Sequence, residues 1–335
     1  MVVQEHESSG HLSAINHLGF NQDQTCLAIG TNAGFKIFNT ESLKLVHHEE
    51  ACGAVSIVEM LFRTSVLALA RCSGRTLTMW STKDRREMAQ FPLNAKIYGV
   101  RMNHRRVVVL SQHRIHIFDL KSKSFRLLRV IDRGSQCVDP SVAWLCAAAE
   151  RGYLATPWAP STPSAQDAIW PSAHRYAKSP SVGDAGLRSP SADCPIDVCS
   201  GNGLDESFGL VTVVDTYTLQ QIGTVFAHKA PIQALCLNIT GQLLATASSK
   251  GTVIRLFQVP ALECVYSFRR GSSVCRIFSL LFSRDSGHIC ASAASGTVHI
   301  FKNSDKTLSG LPLQSEEATV GAAHREIVYR AAEHG

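Results

Sequence analysis

Phe268-Arg269-Arg270-Gly271 is the stretch of this chain best suited to binding chemistry; it follows the run Cys264-Val265-Tyr266 and leads into Ser272 and Ser273. A guanidinium is planar, permanently charged and carries paired N–H donors that match the oxygens of a phosphate. Successive side chains on a strand point to opposite sides, so Arg269 and Arg270 cannot easily close on one small anion. They suit two anion sites, one on each side of the strand, and Gly271 lets a ligand approach the backbone. The competing reading is a solvated charged pair that blunts a sheet edge.

Other clusters of reactive residue types are weaker. His47-His48-Glu49-Glu50 has metal-ligating side chains but falls between two repeats, where a solvated loop is expected. Arg101 to Arg106, with His104, forms a basic cluster suited to acidic protein partners or phosphate, or else a solvated turn. The chain has no P-loop, G-x-S-x-G, H-E-x-x-H or paired-cysteine zinc motif. Its 14 histidines are scattered, and spacing supports no nucleophile–base pair. Neither a catalytic residue, a metal site nor a cofactor is therefore expected.

The elements that must position the arginines repeat. A turn, an alternating strand and a terminal aromatic recur as Gly34-Phe-Lys-Ile-Phe38, Thr76-Leu-Thr-Met-Trp80, Arg114-Ile-His-Ile-Phe118, Gly251-Thr-Val-Ile-Arg-Leu-Phe257 and Gly296-Thr-Val-His-Ile-Phe301, with a weaker copy Leu210-Val-Thr-Val-Val214. The markers at 38, 80, 118, 214, 257 and 301 are separated by 42, 38, 96, 43 and 44 residues. The one double spacing holds an insertion of roughly fifty residues on a period of about 40–45. The clearest copy reads as four strands: 231–238, 241–248, 251–258 and 262–268. This predicts an all-β, WD40-type propeller with blades near 12–50, 51–93, 94–133, 134–226, 227–270 and 271–302, preceded by an arm, 1–11. The Ser-, Pro-, Ala- and Gly-rich stretch of about 157–207 reads as a disordered loop inside blade four, with Ser179-Pro180 and Ser189-Pro190 as candidate phosphorylation sites or an inert insertion. The tail, 303–335, is too short for a further blade and predicts a short helix over Ala322–Ala332.

The 335 residues are 45% hydrophobic, enough for a large core, and the formal net charge of +6 suits an acidic partner such as a lipid headgroup or nucleic acid. No run of 18 apolar residues offers a transmembrane helix, and Met1 to Gly10 does not read as a signal peptide. The 11 cysteines, including Cys236, Cys264 and Cys290 within apolar strand patterns, suggest buried thiols in a reducing compartment.

On Phe268-Arg-Arg-Gly271, Ala245 to Phe257, Gly296 to Phe301, Phe20-Asn-Gln-Asp23, Val58 to Arg63 and Arg106 to Leu110, the chain resembles the PROPPINs, the WIPI and autophagy-eighteen-type propellers. The resemblance covers nearly all of residues 12–302 outside the insertion. It implies a seven-bladed propeller, of which six blades are recognisable here and the last is missing. The tail then stands where the family has a long blade-six loop. It also implies binding of phosphatidylinositol 3-phosphate and phosphatidylinositol 3,5-bisphosphate in two pockets at the rim of blades five and six. Carried over by position, His228, Thr246, Ser248, Gly251, Thr252, Arg255 and Arg269 would form the first pocket. Arg270, Gly271, Thr297 and His299 would form the second, with Ala293 where the family has a serine. Arginines would bind phosphates, hydroxyls and the glycine N–H would add hydrogen bonds, and protonated histidine would strengthen binding at mildly acidic pH.

The family further implies docking of an autophagy lipid-transfer protein or the conjugation machinery through blades one to three, where Asn21 and Asp23 lie; the plain reading of that pair is a turn. Together these point to a non-catalytic effector, cytoplasmic and peripheral on preautophagosomal, endosomal or vacuolar membranes. The alternative is a WD40 scaffold that binds only proteins, lipid binding having been weakened or lost with the missing C-terminal part. A nucleic-acid binder would show steep salt dependence, and no aromatic stacking motif supports one.

Overall fold

The computed structural model describes residues 14–72, 74–120, 125–133, 139–157, 209–303 and the backbone of 326–330. The N-terminal arm, the insertion beyond Pro157 and both Ser-Pro pairs lie outside the described residues.

The described residues form six four-stranded antiparallel sheets, each a meander in chain order, and contain no helix. Blade one is β1 (Ile15–Phe20), β2 (Cys26–Thr31), β3 (Gly34–Asn39) and β4 (Leu45–Glu49); blade two is β5 (Val55–Met60), β6 (Val66–Arg71), β7 (Thr76–Ser81) and β8 (Arg86–Pro92). Blade three is β9 (Ile97–Met102), β10 (Arg106–Ser111), β11 (Arg114–Asp119) and β12 (Leu127–Asp132); blade four is β13 (Trp144–Leu145), β14 (Tyr153–Pro157), β15 (Gly209–Asp215) and β16 (Gln220–His228). Blade five is β17 (Ile232–Leu237), β18 (Leu243–Ser248), β19 (Val253–Gln258) and β20 (Glu263–Arg269); blade six is β21 (Ile277–Phe282), β22 (His288–Ala293), β23 (Thr297–Lys302) and β24 (Glu326–Arg330).

The core lies between blades. Every residue of β18 is buried. Leu244 packs toward blade four with Phe257 and Val225, whereas Leu243, Ala245 and Ala247 pack toward blade six with Leu280, Ile289 and Phe301. Alternating apolar residues thus serve opposite faces of one blade, and burying each large aliphatic or aromatic side chain contributes about 1.5–3 kcal/mol. First strands pack in series, β1 on β5, β5 on β9, β9 on β13, β13 on β17 and β17 on β21. Blades six and one instead face each other across a cleft of about 590 Å³, lined by Phe20, Leu281, Cys290 and Ile300 among others. Leu18 and Phe20 on that side are more than half exposed.

Several expectations change. The tail segment Ala322–Ala332 was expected to be helical, but Glu326–Arg330 is strand β24, paired with β23 from Thr297↔Arg330 to Phe301↔Glu326. The β-forming Ile-Val-Tyr run follows the open edge of β23 rather than helix propensity. His47, His48 and Glu49 lie on β4, not in a solvated loop. Glu49 is buried and receives two hydrogen bonds from Arg85 of blade two, at 2.9 and 3.2 Å, which hold its carboxyl below the usual range. No cluster of three metal-ligating side chains occurs among the described residues. Within the basic cluster, Arg101 donates to the Ala143 carbonyl (3.0 Å), and Arg106 to the Thr216 carbonyl (2.8 Å) and Asp119 (2.7 Å), so both tie blade three to itself and to blade four. Cys236 is buried as expected, but Cys264 is exposed because it lies on an outermost strand.

Candidate functional site

Local alternation sets the two arginines. Phe268 is 3% exposed, with its ring 5.2 Å from Phe301 and 5.7 Å from Tyr266, so it anchors the end of β20 in the seam between blades five and six. Its neighbour Arg269, paired with Val253, is driven outward and exposed. Arg270 turns back and is buried; its Nε donates to the Gly251 carbonyl (2.5 Å) and its Nη2 to the Ser273 carbonyl (2.5 Å). The two guanidinium groups therefore occupy different environments, and neither is in an ion pair with a described carboxylate.

The first group of expected residues converges at the seam of blades four and five. Arg255 donates to the Ala227 carbonyl (2.6 Å) and to Nδ1 of His228 (3.3 Å). Because Nδ1 accepts, the imidazole proton lies on Nε2, which is 3.2 Å from the Thr246 carbonyl and 3.0 Å from its hydroxyl. Burial, then the Arg255 charge, pushes the His228 pKa down to about 4. His228 is consequently neutral at mildly acidic pH. The expectation that its protonation would strengthen anion binding is corrected: a proton on Nδ1 would face a guanidinium. Thr246 and Ser248 are buried on β18 beside this pair, while Thr252 sits at the foot of β19.

The glycines act differently from expectation. The Gly251 N–H donates to the Ser248 carbonyl at 2.8 Å and is used within its own turn. Gly251 is required because its φ is +60° and a Cβ would lie 1.9 Å from the Cys275 carbonyl oxygen. Gly271 has no atom within 4 Å of a would-be Cβ, so the backbone beside Arg270 is open. In the second group, Thr297 and His299 project from β23 with their polar atoms 3.0 Å apart, and Ser295 lies 2.8 Å from Thr297.

Sequence reasoning missed Cys275. It lies on the connection between the two groups, and its thiol pKa is lowered, chiefly by a hydrogen bond from Ser295, with Arg270 adding a smaller push. Asn21 and Asp23 act in the β1–β2 turn. Asn21 Oδ1 accepts the Cys26 N–H (3.0 Å), and Asp23 accepts the Thr25 N–H (3.2 Å) and hydroxyl (2.6 Å). Asn103 and Asn238 repeat the Asn21 role in blades three and five.

Autophagy-related protein 18 of Komagataella pastoris is 35% identical over 296 residues, 86% of this chain and 52% of that protein. The same-named protein of Saccharomyces cerevisiae is 34% identical over 345 residues, covering 92% of this chain and 66% of its own length. The chain thus spans about half to two thirds of these relatives' length. Among solved structures, Kluyveromyces lactis Hsv2 superposes with a TM-score of 0.68 at 21% identity, over 91% of this chain and 79% of that one. The complex of KlAtg21 with the coiled coil of AgAtg16 gives 0.65 at 24% identity, over 86% and 81%. Both are likenesses of fold. The PROPPIN family model matches residues 14–162 and 201–328, on both sides of the insertion. Six β-meander blades, the adjacent arginines at the fifth and a family match over most of the chain agree: the chain belongs to the PROPPIN family.

Proposed function

We propose that this chain is a non-catalytic effector that reads phosphatidylinositol 3-phosphate and phosphatidylinositol 3,5-bisphosphate on membranes and brings autophagy proteins to them. The observation that carries the reading is the separation of Arg269 from Arg270: one exposed at the end of β20, one turned back and buried on the Gly251 and Ser273 carbonyls. The first site comprises Arg269, Arg255, His228, Thr246, Ser248, Gly251 and Thr252. The second comprises Arg270, Gly271, Thr297 and His299. In the first, His228 acts as a neutral brace that orients Arg255. Two weak headgroup sites on one molecule give avidity on a membrane. The membranes would be preautophagosomal, endosomal or vacuolar, reached from the cytoplasm. Partners, a lipid-transfer protein or the conjugation machinery, would dock on blades one to three, on a surface that the Asn21–Asp23 turn shapes.

The deciding experiment is flotation with vesicles containing phosphatidylinositol 3-phosphate. Arg269→Ala is the clean variant, since its side chain is exposed; it should lose most recruitment while unfolding as the parent does. Full recruitment of a folded Arg269→Ala protein would overturn the site and leave the scaffold reading.

A further inference from the structure

The seam between blades three and four repeats the architecture of the two proposed lipid sites. Arg133 stands in blade three where Arg270 stands in blade five. Each directly follows the last residue of an outermost strand, Asp132 or Arg269. Their backbone N–H groups donate to the preceding turn, at His113 O (2.7 Å) and Thr252 O (2.9 Å). Both guanidinium groups are buried, and both donate to backbone carbonyls: Arg133 to Pro140 (2.6 Å) and Val142 (3.0 Å), Arg270 to Gly251 and Ser273. Across the seam, Thr212 holds the β15 position that Arg255 holds on β19 and His299 on β23, each two residues before its strand marker. Thr156 is its cross-strand neighbour, as Thr246 is that of Arg255.

A cavity of about 60 Å³ opens at this seam, lined by Arg129, Asp132, Arg133, Thr156, Thr212 and Gln221 together with apolar neighbours. It has room for about four waters, which suits a tetrahedral oxyanion and falls short of a whole inositol ring. Thr156 and Thr212 are 4% and 5% exposed; Thr212 Oγ1 lies 2.9 Å from Thr224 Oγ1, and Thr156 Oγ1 donates to the Pro157 carbonyl at 3.3 Å, a long bond that a phosphate oxygen would replace. Arg129 is exposed at the mouth, held by a hydrogen bond to the Leu219 carbonyl. The exposed Asp132 carboxylate offsets one of the two guanidinium charges, leaving the wall net positive by one.

We propose that this cavity is a third oxyanion site, taking one phosphate group through the guanidinium groups of Arg129 and Arg133 and the hydroxyls of Thr156 and Thr212. The likeness of Arg133 to Arg270 rests on the lipid reading; the cavity and its lining stand without it.

The test is titration of the full chain with inorganic phosphate, followed by NMR of threonine amide and methyl signals, in the parent, Arg129→Ala and Thr212→Val proteins. Saturable shifts at Thr156 and Thr212 are expected, weakened about tenfold or more by Arg129→Ala, since a charge-assisted bond is lost. Their persistence in Arg269→Ala would show independence from the lipid sites. Vesicle flotation of Arg129→Ala identifies the source: unchanged recruitment means a soluble phosphate, and reduced recruitment a lipid headgroup. Phosphate shifts confined to blades five and six, or shifts at Thr212 indifferent to Arg129→Ala, would overturn the site.

Discussion

Neighbouring arginines in one motif carry different duties. Arg269 is held outward by the burial of Phe268, and its loss should be felt only in binding. Arg270 also satisfies two backbone carbonyls, so Arg270→Ala should cost about 1–3 kcal/mol of stability, measured by urea unfolding, besides its effect on vesicles. A double Arg→Ala variant would confuse the two effects. His228 gives a second residue-scale expectation. Its folded pKa, about 4, lies below the unfolded value of 6.5, so the unfolded chain binds the extra proton between these values. Its contribution is whole above pH 6.5 and is lost as pH falls toward 4. The shift corresponds to on the order of 3 kcal/mol. His228→Gln should therefore flatten the fall in unfolding free energy between pH 7 and 4.5, and an unchanged slope would refute the neutral buried imidazole.

At the scale of strands and turns, the two tight glycine turns of blades five and six make a controlled comparison. Gly251 and Gly296 have φ of +60° and +74°, but only Gly251 would press a Cβ against a backbone oxygen. Gly296→Ala should cost about 1–2 kcal/mol for the left-handed backbone alone. Gly251→Ala should cost clearly more and weaken vesicle binding as well, because the displaced Cys275 segment carries the connection beneath Arg270. Equal losses in the two variants would count against the close approach. Strands were legible in the sequence where period-two alternation ended in a marker such as Phe257 or Phe301. The β24 segment was not, because Ala, Glu and Arg around Ile327 fit a helix equally well until an edge strand offers pairing. In the site, arginines and hydroxyls could be picked out by type. The use of Arg270 and the Gly251 N–H by backbone carbonyls could not, since a carbonyl carries no residue identity.

At the scale of the molecule, the described residues form six blades in series with a cleft between the last and the first. Among the described residues, blades two to five pack against a neighbouring blade on both faces, and blades one and six on one. In a chain of units coupled only to neighbours, freeing an end unit breaks one interface rather than two. Hydrogen exchange under native conditions should accordingly be fastest in the central strands of blades one and six, β2 and β22, and slowest in β10 and β18; uniform protection would contradict this. The proposed lipid sites do not share equally in that gradient. The first rests on blades four and five, in the interior of the stack, whereas the second needs Thr297 and His299 from a terminal unit. Gentle warming or low denaturant should unmoor one foothold ahead of the other, turning a two-point grip into a single-point one while most of the molecule stays folded.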